Sequence, residues 1–229
     1  VLVVEAPSAA DVDFDYRIFN ADGTEVGQCG NGARCLARFV ADQGLSDRDT
    51  LRVRTRTSVL DLHLRDDGQG TVNLRLPRFE PAAIPFHAPQ REIRYTREVD
   101  GQRLQFGALS LGNPHLVMEV DDVDQAPLAT LGPRLETHAD FPQRVNVGFM
   151  QRLSSTRLRL RVHERGVGET LACGSGACAA VAVARLWERT GSQVQVEVRG
   201  GTLSIQWAGE DQPIWLTGPA TRVFKGELT

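Results

Sequence analysis

The chain repeats itself, and this repeat constrains the fold more than any other feature of the sequence. The segment 17–40 aligns with the segment 161–184 at a constant offset of 144 residues. Cys29 and Cys173 each open a Cys-Gly-x-Gly-Ala motif that runs into a helix-like stretch. The similarity continues through the hairpins that follow, over about sixty residues. The pattern predicts a duplicated unit made of a strand, a Cys-Gly turn, a helix, a hairpin and a strand.

Periodicity predicts which segments are strands and which are helices. Apolar and polar residues alternate, as in half-buried strands, at 59–65, 157–164, 193–199 and 202–207. Helical spacing after Cys29 is seen at Ala33, Leu36, Ala37 and Val40, with Gly44 as the expected C-terminal cap. The run after Cys173 is apolar on every face, which predicts an enclosed helix.

These elements indicate an α+β fold with two pseudo-symmetric domains. We expect each domain to be a curled, mostly antiparallel sheet or barrel around one central helix. The first domain is predicted at 1–73 plus 219–229, and the second at 74–218. Cys35 and Cys178 fall inside the two helices, and we expect both to be small core residues. The second copy has a longer lead-in, so we also expect an N-terminally shortened chain.

Composition excludes several classes of function. The formal net charge is −3 without long charged runs, so we expect no nucleic-acid partner. No segment reaches the roughly 20 apolar residues of a membrane helix, and we expect no membrane partner. Four cysteines in 229 residues are too few for a disulfide framework, which favours reactive thiols in the cytoplasm.

Residue usage also argues against a cofactor. The chain has one lysine, Lys225, which lies outside any motif, so a pyridoxal phosphate enzyme is nearly excluded. The five histidines show no ligand spacing with the cysteines, and we expect no metal site. The sequence therefore predicts chemistry performed by side chains and backbone alone.

The paired cysteines suggest a mechanism. A thiol at a helix N-terminus faces the positive end of the helix dipole, which favours a thiolate with a lowered pKa. Backbone N–H groups of the Gly-x-Gly turn form a nest suited to a carboxylate. If Cys29 and Cys173 face each other, one sulfur removes a Cα proton while the other protonates the opposite face. This arrangement predicts two-base inversion of an amino acid.

At its motifs the chain resembles the diaminopimelate epimerases. The matching stretches are Phe19–Cys35, Gly112–His115, Arg144–Phe149 and Glu164–Ala179, in that order. These enzymes use no cofactor and interconvert LL- and meso-diaminopimelate for lysine and peptidoglycan synthesis. They are often dimeric, so the resemblance also implies a homodimer. In this family an opening segment that precedes the first motif contributes substrate contacts, so we expect a shortened chain to be impaired.

The resemblance implies a role for each matched residue. It makes Cys29 and Cys173 the catalytic pair, with His115 as a neighbour that tunes a thiol. The expected N–H donors to the reacting carboxylate are Gly30, Asn31, Gly174 and Ser175. The residues expected at the distal amine and carboxylate are Asn20, Asn113, Asn146, Glu164 and Arg165.

Two other functions use the same cysteines. A proline-racemase-like enzyme would share the thiol pair but would have no use for Arg165, Asn146 and Asn113. A non-catalytic thiol redox sensor would need only a bond between Cys29 and Cys173. Proline as a substrate tests the first alternative, and a Cys173→Ser variant tests the second.

Overall fold

The computed structural model describes residues 1–19, 23–27, 30–65 and 67–227. These residues form fifteen strands, three α-helices and one 3-10 turn, so the predicted α+β class is confirmed. The chain separates into two compact units. Unit 1 is Val1–Asn73 with Thr217–Thr229, and unit 2 is Leu74–Leu216. None of the helices in the described ranges is long and apolar enough to cross a membrane.

Unit 1 contains a sheet of short strands and one helix. Its strands are β1 (Leu2–Glu5), β2 (Phe14–Phe19), β3 (Glu25–Val26), β4 (Thr50–Arg54), β5 (Val59–Leu64) and β6 (Gln69–Asn73). Their order in the sheet is β1-β2-β4-β5-β6, and β3 pairs with β2. Helix α1 (Gly30–Asp42) packs against β1, β5 and β6. A helix therefore covers one face of this sheet.

Unit 2 has the same plan with more strands. Its strands are β7 (Tyr95–Val99), β8 (Gln102–Ser110), β9 (Pro114–Glu119), β10 (Asn146–Ser154), β11 (Arg157–Glu164), β12 (Gly168–Thr170), β13 (Gln193–Val198), β14 (Gly201–Trp207) and the part of β15 (Ile214–Pro219) up to Leu216. The helices are α2 (Leu128–Glu136) and α3 (Gly174–Leu186), with a 3-10 turn at Pro81–Ala83. The sheet order is β14-β13-β11-β10-β9-β8-β7, and β12 pairs with β11. Helix α3 contacts β8 to β11, β13 and β14, so the strands curl around it.

The two predicted helices are confirmed, and so is the difference in their burial. Ala33, Leu36, Ala37 and Val40 form the buried stripe of α1. Gly44 ends this helix with a positive φ of 61°, a conformation that glycine adopts without strain. By contrast, every residue of α3 from 176 to 184 is buried, as an all-round apolar sequence requires.

One expectation about the helices was wrong, and one helix was not predicted. Cys35 is exposed, because it lies on the face of α1 opposite the buried stripe; Cys178 is buried as predicted. The sequence also gave no indication of α2. This helix carries Gly132 and Pro133, which are typical of turns, and its buried leucines are held by β10 and β11 rather than by helix propensity.

Candidate active site

Four elements of unit 2 place the predicted residues at one edge of the sheet. Strands β9 and β10 run parallel, with His115 in register with Asn146, so both begin at this edge. Strand β11 is antiparallel to β10, and its last residue, Glu164, therefore returns to the same edge. Helix α3 starts there with Cys173 as its N-cap residue. Strand direction thus gathers residues that are far apart in sequence.

The thiol of Cys173 is buried and held by the first turn of α3. Among the described residues Cys173 is a free cysteine, and 5% of its surface is exposed. The N–H of Gly176 donates a hydrogen bond to the sulfur, and the hydroxyl of Ser175 lies 3.7 Å from it. A Cβ added at Gly176 would lie 3.2 Å from Sγ. A side chain at this position would therefore crowd the sulfur that the backbone N–H of Gly176 approaches.

The expectation of a resting thiolate at Cys173 was wrong. Burial raises the pKa of this thiol above its ordinary value, and the negative charge of Glu164 raises it further. The hydrogen bonds from Gly176 and Ser175 lower it by less. The cost of desolvating an anion therefore exceeds the stabilisation that the helix terminus provides. Cys173 is a protonated thiol at neutral pH in this structure.

A chain of hydrogen bonds leads from the thiol to His115. Ser175 Oγ accepts a hydrogen bond of 3.3 Å from Asn113 Nδ2, which leaves the serine proton free to point at Cys173. Asn113 Oδ1 is 3.0 Å from His115 Nε2. The amide oxygen can only accept, so His115 carries its proton on Nε2. His115 therefore acts on the thiol through Asn113 and Ser175.

His115 is too deeply buried to carry a charge at neutral pH. Burial, followed by the positive charge of Arg165, lowers its pKa to about 3. Only 1% of its surface is exposed. A neutral imidazole with a fixed tautomer can orient Asn113, but it does not accept a proton near pH 7. The low pKa argues against His115 as a base at neutral pH, and its role as a thiol-tuning neighbour stays a prediction.

Asn146 fixes the turn that carries Arg165. Its Nδ2 donates to the carbonyl of Pro114 at 2.9 Å, and its Oδ1 accepts the backbone N–H of Arg165 at 3.0 Å. The side chain of Arg165 is exposed and donates to the carbonyl of Gln143 at 3.0 Å. Asn146 is buried, so it holds two strands and the turn together from inside.

Glu164 lies close enough to Cys173 to affect its charge. It is half-buried, and one carboxylate oxygen accepts a hydrogen bond from the hydroxyl of Thr170 across the β11–β12 hairpin. Thr170 was not among the predicted residues. Thr170 lies inside the Glu164–Ala179 motif, but the sequence does not show that its hydroxyl binds Glu164, because strand pairing sets this contact.

A second group of residues that the sequence did not predict binds this turn. Glu136, the last residue of α2, accepts a hydrogen bond from His163 Nε2 at 2.7 Å and another from the N–H of Gly166 at 2.8 Å. Both side chains are buried. The only signal in the sequence was the position of His163, directly before the Glu164–Arg165 motif. Nothing in the sequence pointed to Glu136.

The residues predicted in unit 1 are described only in part. Cys29 and Asn20 lie outside the described residues. Gly30 and Asn31 form the first turn of α1; Gly30 is buried and Asn31 is partly exposed. No group of three or more His, Cys, Asp or Glu side chains within the described ranges is arranged to hold a metal ion.

Solved structures with a similar fold have low sequence identity. A hydroxyproline epimerase from Agrobacterium vitis superposes with a TM-score of 0.68 at 14% identity, covering 96% of this chain and 72% of that protein. A PhzF-family phenazine biosynthesis protein from Bacillus anthracis gives 0.65 at 15% identity, covering 95% and 80%. At this identity the likeness establishes the fold alone.

Sequence comparison is more specific. The family profile described as diaminopimelate epimerase matches residues 1–79 and 107–223. The diaminopimelate epimerase of Ectopseudomonas mendocina strain ymp is 57% identical over 228 residues, which cover 100% of this chain and 83% of the relative. That of Azotobacter vinelandii is 54% identical with the same coverage. The chain belongs to the diaminopimelate epimerase family.

Proposed function

We propose that this protein epimerises LL-diaminopimelate to meso-diaminopimelate, a step of lysine and peptidoglycan biosynthesis, with two cysteines and no cofactor. The observation that supports it best is the buried Cys173 thiol at the start of α3, set within the motifs that the family shares. The second cysteine of the duplicated motif, Cys29, is the proposed partner. We further propose a cytoplasmic homodimer.

Proton transfer at Cα requires an acid and a base on opposite faces of one carbon. Since Cys173 is protonated in the resting structure, it is the proposed acid, and Cys29 as a thiolate is the proposed base. The Cα proton passes to the sulfur of Cys29, and the thiol of Cys173 gives its own proton to the carbanion. The roles are then exchanged, so the product form is ready for the reverse reaction.

The first turn of α3 is suited to hold the reacting carboxylate. Backbone N–H groups at Gly174 and Ser175 are unsatisfied within the helix, as at every helix N-terminus, and they carry the positive end of the dipole. The corresponding turn of α1 offers Gly30 and Asn31. As the Cα proton leaves, negative charge moves onto the carboxylate. Preorganised donors then stabilise the transition state, by about 3–4 kcal/mol for each donor.

The turn after β11 is suited to the distal amino-acid group of the substrate. Glu164 offers a carboxylate for an ammonium, and Arg165 offers a planar guanidinium for a carboxylate. Asn113 and Asn146 already bond to protein groups, so their proposed share in binding is to hold this surface and to accept one further hydrogen bond each. Asn20 completes the proposed set.

Isotope exchange tests this function directly. The protein is incubated with LL-diaminopimelate in D₂O, and the loss of the α-proton signal is followed by NMR. We expect deuterium at an α-carbon together with formation of the meso isomer. Proline serves as the control substrate, and we expect no exchange with it. A folded protein that exchanges proline and leaves diaminopimelate untouched would contradict the proposal.

A further inference from the structure

A buried carboxylate from α2 holds the turn that carries Glu164 and Arg165. Glu136 has 7% of its surface exposed, and so has His163. The imidazole Nε2 lies 2.7 Å from Glu136 Oε2. An ionised carboxylate can only accept, so His163 donates this bond. The pair joins the end of α2 to strand β11, one residue before Glu164.

The other carboxylate oxygen binds the backbone of the turn itself. Glu136 Oε1 accepts the N–H of Gly166 at 2.8 Å, and a guanidinium nitrogen of Arg144 lies 3.5 Å from it. Gly166 has a φ of 75°, a left-handed conformation that glycine adopts without strain. Two successive backbone N–H groups of the turn therefore bind side chains. The N–H of Arg165 donates to Asn146, and the N–H of Gly166 donates to Glu136.

The backbone of Glu136 connects the same turn to β10. Its carbonyl accepts the N–H of Val145 at 3.1 Å, directly before Asn146. Helix α2 also sits against the imidazole without a gap, because a Cβ added at Gly132 would lie 2.8 Å from His163 Cγ. The close packing of α2 on His163 and the bond to Val145 therefore hold the backbone of Glu136 near the turn.

The charge of Glu136 is maintained inside the protein. Burial by itself raises the pKa of this carboxyl, but the hydrogen bonds from His163 and Gly166 and the charge of Arg144 bring it below its ordinary value. An ionised carboxylate with donors on both oxygens forms strong, charge-assisted hydrogen bonds. Removing it would leave the N–H of the buried His163 and the backbone N–H of Gly166 without their acceptor.

We propose that Glu136 is a positioning residue for substrate binding, which sets the backbone of residues 164–166 so that Glu164 and Arg165 are presented together to the distal amino-acid group. This inference rests on the proposed function for its kinetic consequence. Its structural content, that Glu136 fixes the Gly166 amide, stands independently. Glu136 contacts no reacting atom, so its effect passes through the turn.

The decisive variant is Glu136→Gln, measured by amide hydrogen exchange and by kinetics. In the glutamine an NH₂ group, which can only donate, replaces one of the two oxygens that accept from His163 and Gly166, so the side chain cannot accept at both positions. We expect the Gly166 amide to exchange about tenfold faster. We also expect KM for LL-diaminopimelate to rise about tenfold with kcat changed less than about threefold, as for lost ground-state binding.

The matched control is Glu169→Gln, on the strand that completes the same hairpin. Glu169 pairs with Arg161 and bonds no backbone of the turn, so Gly166 exchange and KM should stay at wild-type values. If Glu136→Gln does not fold, Glu136→Asp keeps the charge and retracts it, and the same two changes are expected to a smaller degree.

The two readouts separate the two proposals. Unchanged protection of Gly166 in a folded Glu136 variant overturns the positioning role, whatever the kinetics. A fall in thermal stability with unchanged Gly166 exchange and unchanged KM overturns it as well, because it leaves only a structural role. If the wild-type protein fails to exchange the α-proton of diaminopimelate, the proposed function fails, and amide exchange still decides the role of Glu136.

Discussion

The two copies of the Cys-Gly-x-Gly-Ala motif begin helices of equal length in unequal surroundings. Both α1 and α3 have 13 residues. Helix α3 is buried all round, whereas α1 exposes one face that includes Cys35 and Phe39, the latter 48% exposed. The same local sequence therefore yields the same helix, while the number of strands that contact it decides how much of it is buried.

An ion pair repeats between the units with the same geometry and a different environment. Arg17 pairs with Glu25, and Arg161 pairs with Glu169, each through two hydrogen bonds across a hairpin. The side chain of Arg17 is 44% exposed and that of Arg161 is 11% exposed. The comparison shows that duplication preserves contacts within a hairpin, and that the tertiary environment sets how much each contact stabilises the unit.

The largest expected difference is between the motif cysteines and the helix cysteines. Cys29→Ala and Cys173→Ala should each reduce α-proton exchange about 10²–10⁴-fold, as expected when a general acid or base is removed. Cys35→Ala and Cys178→Ala should retain activity. The measurement is exchange into diaminopimelate in D₂O for all four variants. Full activity in Cys173→Ala would break the proposed equivalence of the two motifs.

The second difference concerns matched glycines of the two helices. A Cβ at Gly32 would lie 2.1 Å from the hydroxyl of the buried Tyr16, whereas a Cβ at Gly176 would lie 3.0 Å from Val162 Cγ2. Gly32→Ala should lower the free energy of unfolding by about 3 kcal/mol through overpacking. Gly176→Ala should change it by less than about 1 kcal/mol, because the gain in helix propensity offsets the tighter contact.

Circular dichroism during guanidinium unfolding measures the free energy of unfolding of Gly32→Ala and Gly176→Ala. The three tryptophans, at positions 187, 207 and 215, all belong to unit 2, so fluorescence would follow that unit alone. Gly176→Ala should still lower kcat, because its new Cβ lies 3.2 Å from the sulfur of Cys173. Equal stability loss in both variants would show that the two helix starts are packed alike.

The smallest expected effect concerns the repeated ion pair. Glu169 also contacts Arg199 at 3.0 Å, and we expect Glu169→Gln to lower the free energy of unfolding by about 0.5–1 kcal/mol at pH 7. Glu25→Gln should produce no measurable change, because the guanidinium of its partner Arg17 is largely exposed to water, which screens the pair. Chemical unfolding of the wild type and both variants measures the difference in their free energies of unfolding.

The contribution of Glu169 to the free energy of unfolding should depend on pH. The hydrogen bond and charge of Arg161 hold the pKa of Glu169 below its ordinary 4.5, although burial opposes this. Stability from a lowered pKa is present above the unfolded-state value and is lost as pH falls through the folded-state value. The difference between wild type and Glu169→Gln should therefore shrink as the pH falls below the ordinary pKa of 4.5 and disappear below the folded-state pKa. A difference that grows toward acid pH would contradict this assignment.

Much of the local structure could be predicted from periodicity. The strand at 157–164, the buried stripe of α1 and the cap at Gly44 follow from side-chain spacing and backbone preference, which act over a few residues. Helix α2 could not be predicted, because its glycine and proline oppose helix formation and packing against β10 and β11 compensates for them.

The site was predicted unevenly for the same reason. Cys173, Ser175, Asn113 and His115 were identified from motifs, and the structure joins them in one hydrogen-bond chain. Glu136 lies 27 positions from its partner His163 and belongs to no motif. Its role depends on the end of α2 meeting the end of β11, a contact that no local pattern encodes.

The sequence by itself determined the duplication, the two helix starts with their cysteines, and the family, because these are properties of residue type and order along the chain. Only the tertiary structure decided the protonation of Cys173, the neutral state of His115 and the acceptor for the Gly166 amide. A pKa and a buried hydrogen bond depend on which groups replace water around an atom. Those groups come from strands and helices distant in sequence, so they are known only once the chain is folded.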